Sequence, residues 1–197
     1  STDWTLGSNF TVETWVRFNS IAGHTLLNQW KGGGILGAWT IQFEPSGGGP
    51  HALKFYYSTN GTNMLNSSWS WTPSTNTWYH VAVVRDGSDL ELYIDGTQTG
   101  STYDISSSTI ANIAWPLVIG YYSYLGSSGV NGYMDEIRIS NSTRYTGAFT
   151  PSTTAFTTDA NTKLLIHSDF NGGIDADNSG NTNDFSATNL VATDQVL

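Results

Sequence analysis

The sequence predicts an all-β fold: two antiparallel sheets packed face to face as a sandwich of the jelly-roll kind. Three observations lead there. Charged residues make up only 12% of the 197-residue chain, and Ser, Thr, Asn and 21 Gly supply the polarity, a mixture poor in helix formers. Apolar residues recur with a period of two in segment after segment. Gly, Asn and Asp cluster between those segments where turns are needed.

The first strand is NFTVETWVRF. Phe10, Val12, Thr14, Val16 and Phe18 fall on one face and Thr11, Glu13, Trp15 and Arg17 on the other, the pattern of a half-buried strand. TLLNQW and AWTIQF lie either side of Lys31-Gly32-Gly33-Gly34, and PSGGGP (Pro45–Pro50) is a flexible break. ALKFYYS is the next strand, closed by Asn60-Gly61. TWYHVAVVRDGSDLELYIDGTQTG is the clearest hairpin. Tyr79, Val81 and Val83 alternate with His80, Ala82 and Val84 before Asp86-Gly87. Leu90, Leu92 and Ile94 then share a face as far as Asp95-Gly96, which suits a tight primed turn. PLVIGYY, GYMDEIRIS and TKLLIHS are the later strands, and one or two turns of helix are expected around Asn141–Tyr145. After Ser168 the chain becomes polar. The expected organisation is a sandwich over 1–168 and a polar segment over 169–197, which either wraps the sandwich or opens a following module.

Sixteen acidic against seven basic residues give a net charge of -9. Nucleic acid and anionic membranes are disfavoured as partners, and no apolar run is long enough to span a bilayer. Cysteine is absent, which removes disulfides, thiol nucleophiles and Cys-based zinc sites. A domain of this size can stand on its core alone, and such a composition suits a bacterial or viral surface protein. The chain opens at Ser1 without Met or a signal-like segment, so a processed product or a piece of something longer is expected.

Taken in order, FTVETWVRF, WYHVAVVRDGSDLELYIDG and LVIGYYSYLGSSGVNGYMDEIRISNSTRYTGAFTP resemble the laminin-G-like branch of the concanavalin A-like lectin/glucanase superfamily, in the form found in bacteriophage and bacterial surface proteins. The resemblance runs from about Phe10 to Phe156. It implies the concanavalin A-like sandwich and names no ligand, because this fold hosts lectins, enzymes and adhesion domains. It also implies that the LLIHS strand with the Asp-x-Ser-Gly-Asn turn, which commonly opens such a module, stands here at the other end. The chain thus reads as part of a multi-module protein.

The adjacent acids Asp135 and Glu136 lie within a strand. Strict alternation places Tyr133, Asp135, Ile137 and Ile139 on the core face, and Met134, Glu136 and Arg138 outward. Carboxylates on opposite faces cannot flank one glycosidic bond, which needs both aimed into a cleft roughly 5–10 Å apart. The resemblance implies, for glucanases of this fold, a Glu-x-Asp-x-x-Glu strand. Asp89 and Glu91 alternate but lack the third acid, so no enzyme is expected. Asp135 reads as a structural acceptor tying a loop to the sheet, and Glu136 with Arg138 as a solvated pair.

DADNSGN (Asp175 to Asn181) sets oxygen donors at alternate positions, making Asp175, Asp177 and Asn181 candidate ligands for Ca2+. An EF-hand is excluded because its twelfth position is Ser186, and an Asx-rich turn is the competing reading. His24, His51, His80 and His167 show no metal spacing, and neither a nucleophile elbow nor a phosphate loop is present. The aromatics carry the functional expectation. Trp69 and Trp71 alternate in a polar stretch, and Tyr121, Tyr122 and Tyr124 run into a Gly/Ser loop; flat rings with polar tips stack on sugar faces. Trp15 and Trp78 read instead as core. The expectation is a recognition and adhesion module, extracellular or on a virion surface, that binds glycan or a surface polymer, with calcium as its candidate cofactor. Its rival is a decoration module that packs against other subunits; a third reading, a glycoside hydrolase, would require two carboxylates converging in one cleft.

Overall fold

The computed structural model describes residues 4–30, 37–45, 51–121, 129–168, 177–181 and 183. Twelve strands follow in order: β1 (Asn9–Phe18), β2 (His24–Trp30), β3 (Gly37–Glu44), β4 (Ala52–Tyr57), β5 (Leu65–Ser70), β6 (Trp78–Asp86), β7 (Asp89–Ile94), β8 (Thr97–Gln98), β9 (Tyr103–Asp104), β10 (Val118–Ile119), β11 (Gly132–Ser140) and β12 (Thr162–Ile166). They form two antiparallel sheets, β12-β11-β1-β6-β7-β8 with β9 beside β7, and β10-β2-β3-β4-β5. Among the described residues no helix is long and apolar enough to cross a membrane.

The alternation in β1 works as expected. Phe10, Val12, Val16 and Phe18 face a core that includes Leu27, Trp39, Ile41, Phe43 and Phe55 from the opposite sheet. Burial of each such side chain contributes about 1.5–3 kcal/mol relative to exposure. The Trp39 indole N–H, deep in this core, donates to the Trp4 carbonyl at 3.0 Å. The β7–β8 connection is a two-residue turn: Ile94 pairs with Thr97, and Asp95 and Gly96 both have positive φ (49° and 76°). This is the primed geometry that suits strand twist.

Two expectations fail, for one reason each. Strict alternation in β11 is broken by a bulge: the register with β1 jumps from Glu13↔Arg138 to Trp15↔Asp135. Glu136 adopts φ 50°, and its N–H is held by Asp135 Oδ1 at 2.7 Å. The extra residue reverses the parity. Met134, Ile137 and Ile139 pack on the core, while Asp135 joins Glu13, Trp15 and Arg138 on the sheet's outer face. The second failure is the helix at Asn141–Tyr145. Those residues form no helix, because their backbone groups bond a side chain of the sheet: Thr11 Oγ1 donates to Ser142 O, and Arg144 N–H donates to Thr11 Oγ1, each at 3.0 Å.

Residues 141–157 run on as a strap across the outer face of the larger sheet. Phe149 N–H donates to Gly96 O at 2.9 Å, and Phe156 N–H to Glu136 Oε2 at 2.6 Å. Tyr145 and Phe149 stack, with ring centroids 3.5 Å apart, over a small second core of Ala82, Val84 and Tyr93. β12 closes this sheet against β11. The turn after it shields the β12 edge: Leu165 N–H donates to Asp177 Oδ1 at 3.1 Å, and Asn178 N–H to Leu165 O at 2.6 Å.

Candidate functional site

Trp69 and Trp71 share a face, as expected, but it is the core face. Trp69 is 1% exposed; its indole donates to Ser101 O at 2.9 Å and its ring meets Tyr103 edge-on. Trp71 packs among Phe18, Phe43 and Tyr79. With these rings committed to neighbouring side chains, the ligand role expected of them does not fit. Tyr121, just beyond β10, is 42% exposed, while its backbone carbonyl is held by Asn28 Nδ2 at 2.6 Å. Tyr122 and Tyr124 lie outside the described residues.

Of the candidate calcium ligands, Asp175 also lies outside the described residues. Asp177 spends its carboxylate on the turn. Oδ1 accepts from Leu165 N–H and Ser179 N–H, and Oδ2 from Ser179 Oγ, Asn183 N–H and Asn183 Nδ2. Asn181 turns its amide NH2 to the carbonyls of Thr162 and Lys163. Five protein donors thus engage the Asp177 carboxylate, the pattern of an Asx-rich turn.

Glu13 and Glu136 of the larger sheet are buried and engaged by neighbouring groups. The Glu13 side chain is 0% exposed and sits under the strap. Its Oε1 accepts from Arg138 Nε at 2.8 Å; its Oε2 accepts from His80 Nε2 at 3.0 Å and Tyr145 Oη at 2.8 Å. His80 Nδ1 is buried without a hydrogen-bond partner among the described residues. Arg138 also lies over the Phe156 ring, 4.2 Å from its centroid. Glu136 accepts from Phe156 N–H and from His167 Nδ1 at 2.8 Å, so Glu136 and Arg138 form no solvated pair: both are buried and each has another partner. The bulge and the strap, neither of which shows in an alternation pattern, account for this.

Burial pushes the Glu13 carboxyl up, but the His80 hydrogen bond, the Arg138 charge and the Tyr145 hydroxyl outweigh it and hold the group below its usual 4.5. The Arg144 fork, at the start of the strap, brings Asp159 from 3.8 to about 2. A depressed acid stabilises the fold above its unfolded value and loses that contribution as pH falls through its folded value. The melting temperature is therefore expected to stay level above about pH 5 and to fall as both carboxyls protonate. Calorimetry across that range should show a shallower acid limb for Arg144→Gln.

What the strap leaves open is a row of side chains at the end of the same face. Trp78, Arg17 and Tyr133 stand side by side on β6, β1 and β11, and Trp15 lies in the next row between His80 and Asp135. All four named side chains, Trp15, Arg17, Trp78 and Tyr133, are half-buried. The Trp78 and Tyr133 rings lean together across Arg17, with centroids 6.4 Å apart. The guanidinium lies 5.2 Å from the Tyr133 centroid and donates to Asn76 Oδ1 at 3.1 Å. Asn76 holds φ 59° to present that oxygen. The expectation of Trp15 and Trp78 as core residues fails: both are half-buried on the outer face, where the alternation of β1 puts Trp15 beside Arg17, and joining them to Tyr133 required the pairing of three strands.

A laminin G-type family model, described as the concanavalin A-like lectin/glucanases superfamily, matches residues 1–147. The chain belongs to that superfamily. The sequence-based resemblance and the two-sheet sandwich agree with it. Among solved structures, a Bacteroides ovatus protein provisionally called carbohydrate binding is similar at TM-score 0.62 and 19% identity, over 85% of this chain and 47% of that one. Domain 4 of an extracellular arabinanase from Geobacillus stearothermophilus, in complex with arabinotriose, is similar at TM-score 0.52 and 21% identity, over 76% and 66%. Tailspike protein 2 of an Escherichia coli bacteriophage is similar at TM-score 0.53 and 12% identity, over 70% of this chain and 20% of that one. This chain thus spans about half the length of the first and a fifth of the last. At these identities the likeness shows the fold alone. Comparison with curated protein sequences gave no match.

Proposed function

We propose that this chain is a non-enzymatic recognition module of a larger extracellular or virion-surface protein, and that it binds glycan. The observation that carries this reading is the half-buried row of Trp78, Arg17 and Tyr133, with Trp15 behind it, left uncovered where the strap ends. Aromatic rings set in a rigid sheet present flat apolar faces at little entropic cost, and neighbouring Arg and Asn side chains supply directional hydrogen bonds. The superfamily and the two carbohydrate-related structures support it. Glu13 and Glu136, buried and fully engaged, are poorly placed to serve as a hydrolytic pair.

A glycan array probed with the purified chain tests this. A saturable hit is expected, and Trp78→Ala should weaken it at least about fivefold, because one stacking ring is worth about 1–3 kcal/mol. EDTA should leave binding unchanged; a loss would put a metal in or behind the site. Silence from folded protein would overturn the reading. The alternative, a module that packs against other subunits, is favoured by Met64 (62% exposed) and Leu65 (38%) at the edge strand β5. Light scattering that shows a stable oligomer, dissociated by Met64→Lys, would support it.

A further inference from the structure

We infer that the Trp78–Arg17–Tyr133 row selects acidic saccharides, with the Arg17 guanidinium receiving the sugar carboxylate; this rests on the glycan reading above. The chain carries a net charge of -9, so an anionic ligand gains no long-range attraction from the protein as a whole. It needs a local cation that the fold has not already neutralised. Lys54 lies 2.6 Å from Glu44, Arg138 2.7 Å from Glu13 and Arg144 2.9 Å from Asp159. Arg85 is buried and donates to the carbonyls of Gly7, Gly87, Ile105 and Ser108.

Arg17 differs from all of these, and from Lys163 on β12, which also has no ion pair among the described residues, in lying against an aromatic ring of this row. Among the described residues no carboxylate lies within ion-pair distance of it. Its side-chain hydrogen-bond partner is the neutral Asn76 Oδ1, which occupies one of its five N–H donors. The Tyr133 face beneath it and the Asn76 oxygen beside it fix the plane of the guanidinium. Such a pre-oriented fork can grip a planar carboxylate through two parallel hydrogen bonds. The Trp78 and Tyr133 rings flank it and can take the C–H face of the same sugar or the next. A neutral sugar seated there offers the guanidinium hydroxyl acceptors and leaves its charge uncompensated; a uronic or sialic residue satisfies ring and charge together.

The test compares oligogalacturonate, oligoglucuronate and sialyl oligosaccharides, each beside its methyl ester, by titration calorimetry. The acid of at least one pair should bind ten times or more tighter than its ester, with affinity falling as salt rises. Arg17→Gln should abolish that preference, Arg17→Lys should restore only part of it, and unchanged melting temperatures would show that the variants remain folded. Equal binding of acid and ester, or a preference that survives Arg17→Gln, would overturn the inference. A neutral glycan that binds through Trp78 while no acid does would overturn it and leave the glycan reading standing. If no glycan on the wider array binds, both fall.

Discussion

Glu13→Ala is expected to cost about 3–5 kcal/mol of folding stability, because it leaves Arg138 and His80 buried without their carboxylate. Burial sets the scale. Glu13 and His80 have side chains at 0% exposure and Arg138 at 9%, so water cannot take over the lost partner. Tyr145 loses its acceptor as well and with it a tie that holds the strap to the sheet. For a chain of this size the melting temperature should fall by on the order of 10 °C. The decisive measurement is a urea-denaturation cycle with Glu13→Leu, Arg138→Met and the double variant. If the pair is a coupled unit, the double variant loses much less than the sum of the singles, since two apolar side chains replace two charges that no longer need each other. Strict additivity would show that the ion pair is incidental and that packing alone holds the strap. Hydrogen exchange adds a spatial check: protection should be lost around Tyr145–Phe156 before it is lost in β2–β4.

The same network explains why the candidate site lies where it does. Glu13 and Arg138 occupy one row of the outer face, Trp15 and His80 the next, and Trp78, Arg17 and Tyr133 the row after that. The strap seals the first of these rows and packs Phe149 and Phe156 against the His80 ring. None of its contacts among the described residues reaches the last row, whose side chains are half-buried. Sealing one half of a sheet face and exposing the other produces an aromatic platform on rigid strands, the arrangement that best limits the entropy lost when a ligand binds.

The fold was legible in the sequence because period-two alternation and Asx-Gly turns are local signals, and both carried through in β1, β6 and β7. The site was less legible. Trp69 and Trp71 announced a shared face, but the Ser and Asn residues around them gave no sign that the opposite face was the wet one. The bulge at Glu136 places a glutamate at positive φ, a position that residue type does not advertise, and it moves Asp135 from the core to the outer face. The strap has no period at all: Tyr145, Phe149 and Phe156 are buried or half-buried by where the chain is led, not by any regular spacing. Cross-strand neighbours such as Trp78 and Tyr133, 55 positions apart, meet only once register is known.

Gly96→Ala is expected to be strongly destabilising, because the added methyl meets backbone at a left-handed position. Gly96 has φ 76°, and a Cβ there would stand 1.8 Å from the Phe149 carbonyl oxygen and 3.0 Å from Pro151 Cδ. No side-chain rotation relieves a clash with a carbonyl, and that segment is also held by the Phe149 N–H to Gly96 O bond of 2.9 Å. The strap must lift or the turn must open; either uncovers the half-buried Tyr145 and Phe149. Gly87→Ala supplies the comparison. Gly87 has φ 60° with nothing within 4 Å of its Cβ position, so alanine there carries only the left-handed strain, about 1–2 kcal/mol. The difference between the two losses, read from denaturant midpoints at equal slope, isolates the strap contact from backbone strain. Gly96→Ala should lose at least about 2 kcal/mol more, and its ligand affinity should fall with it, because the strap borders the Trp15 row. Equal losses at the two positions would mean that the strap adds nothing to the sheet it covers.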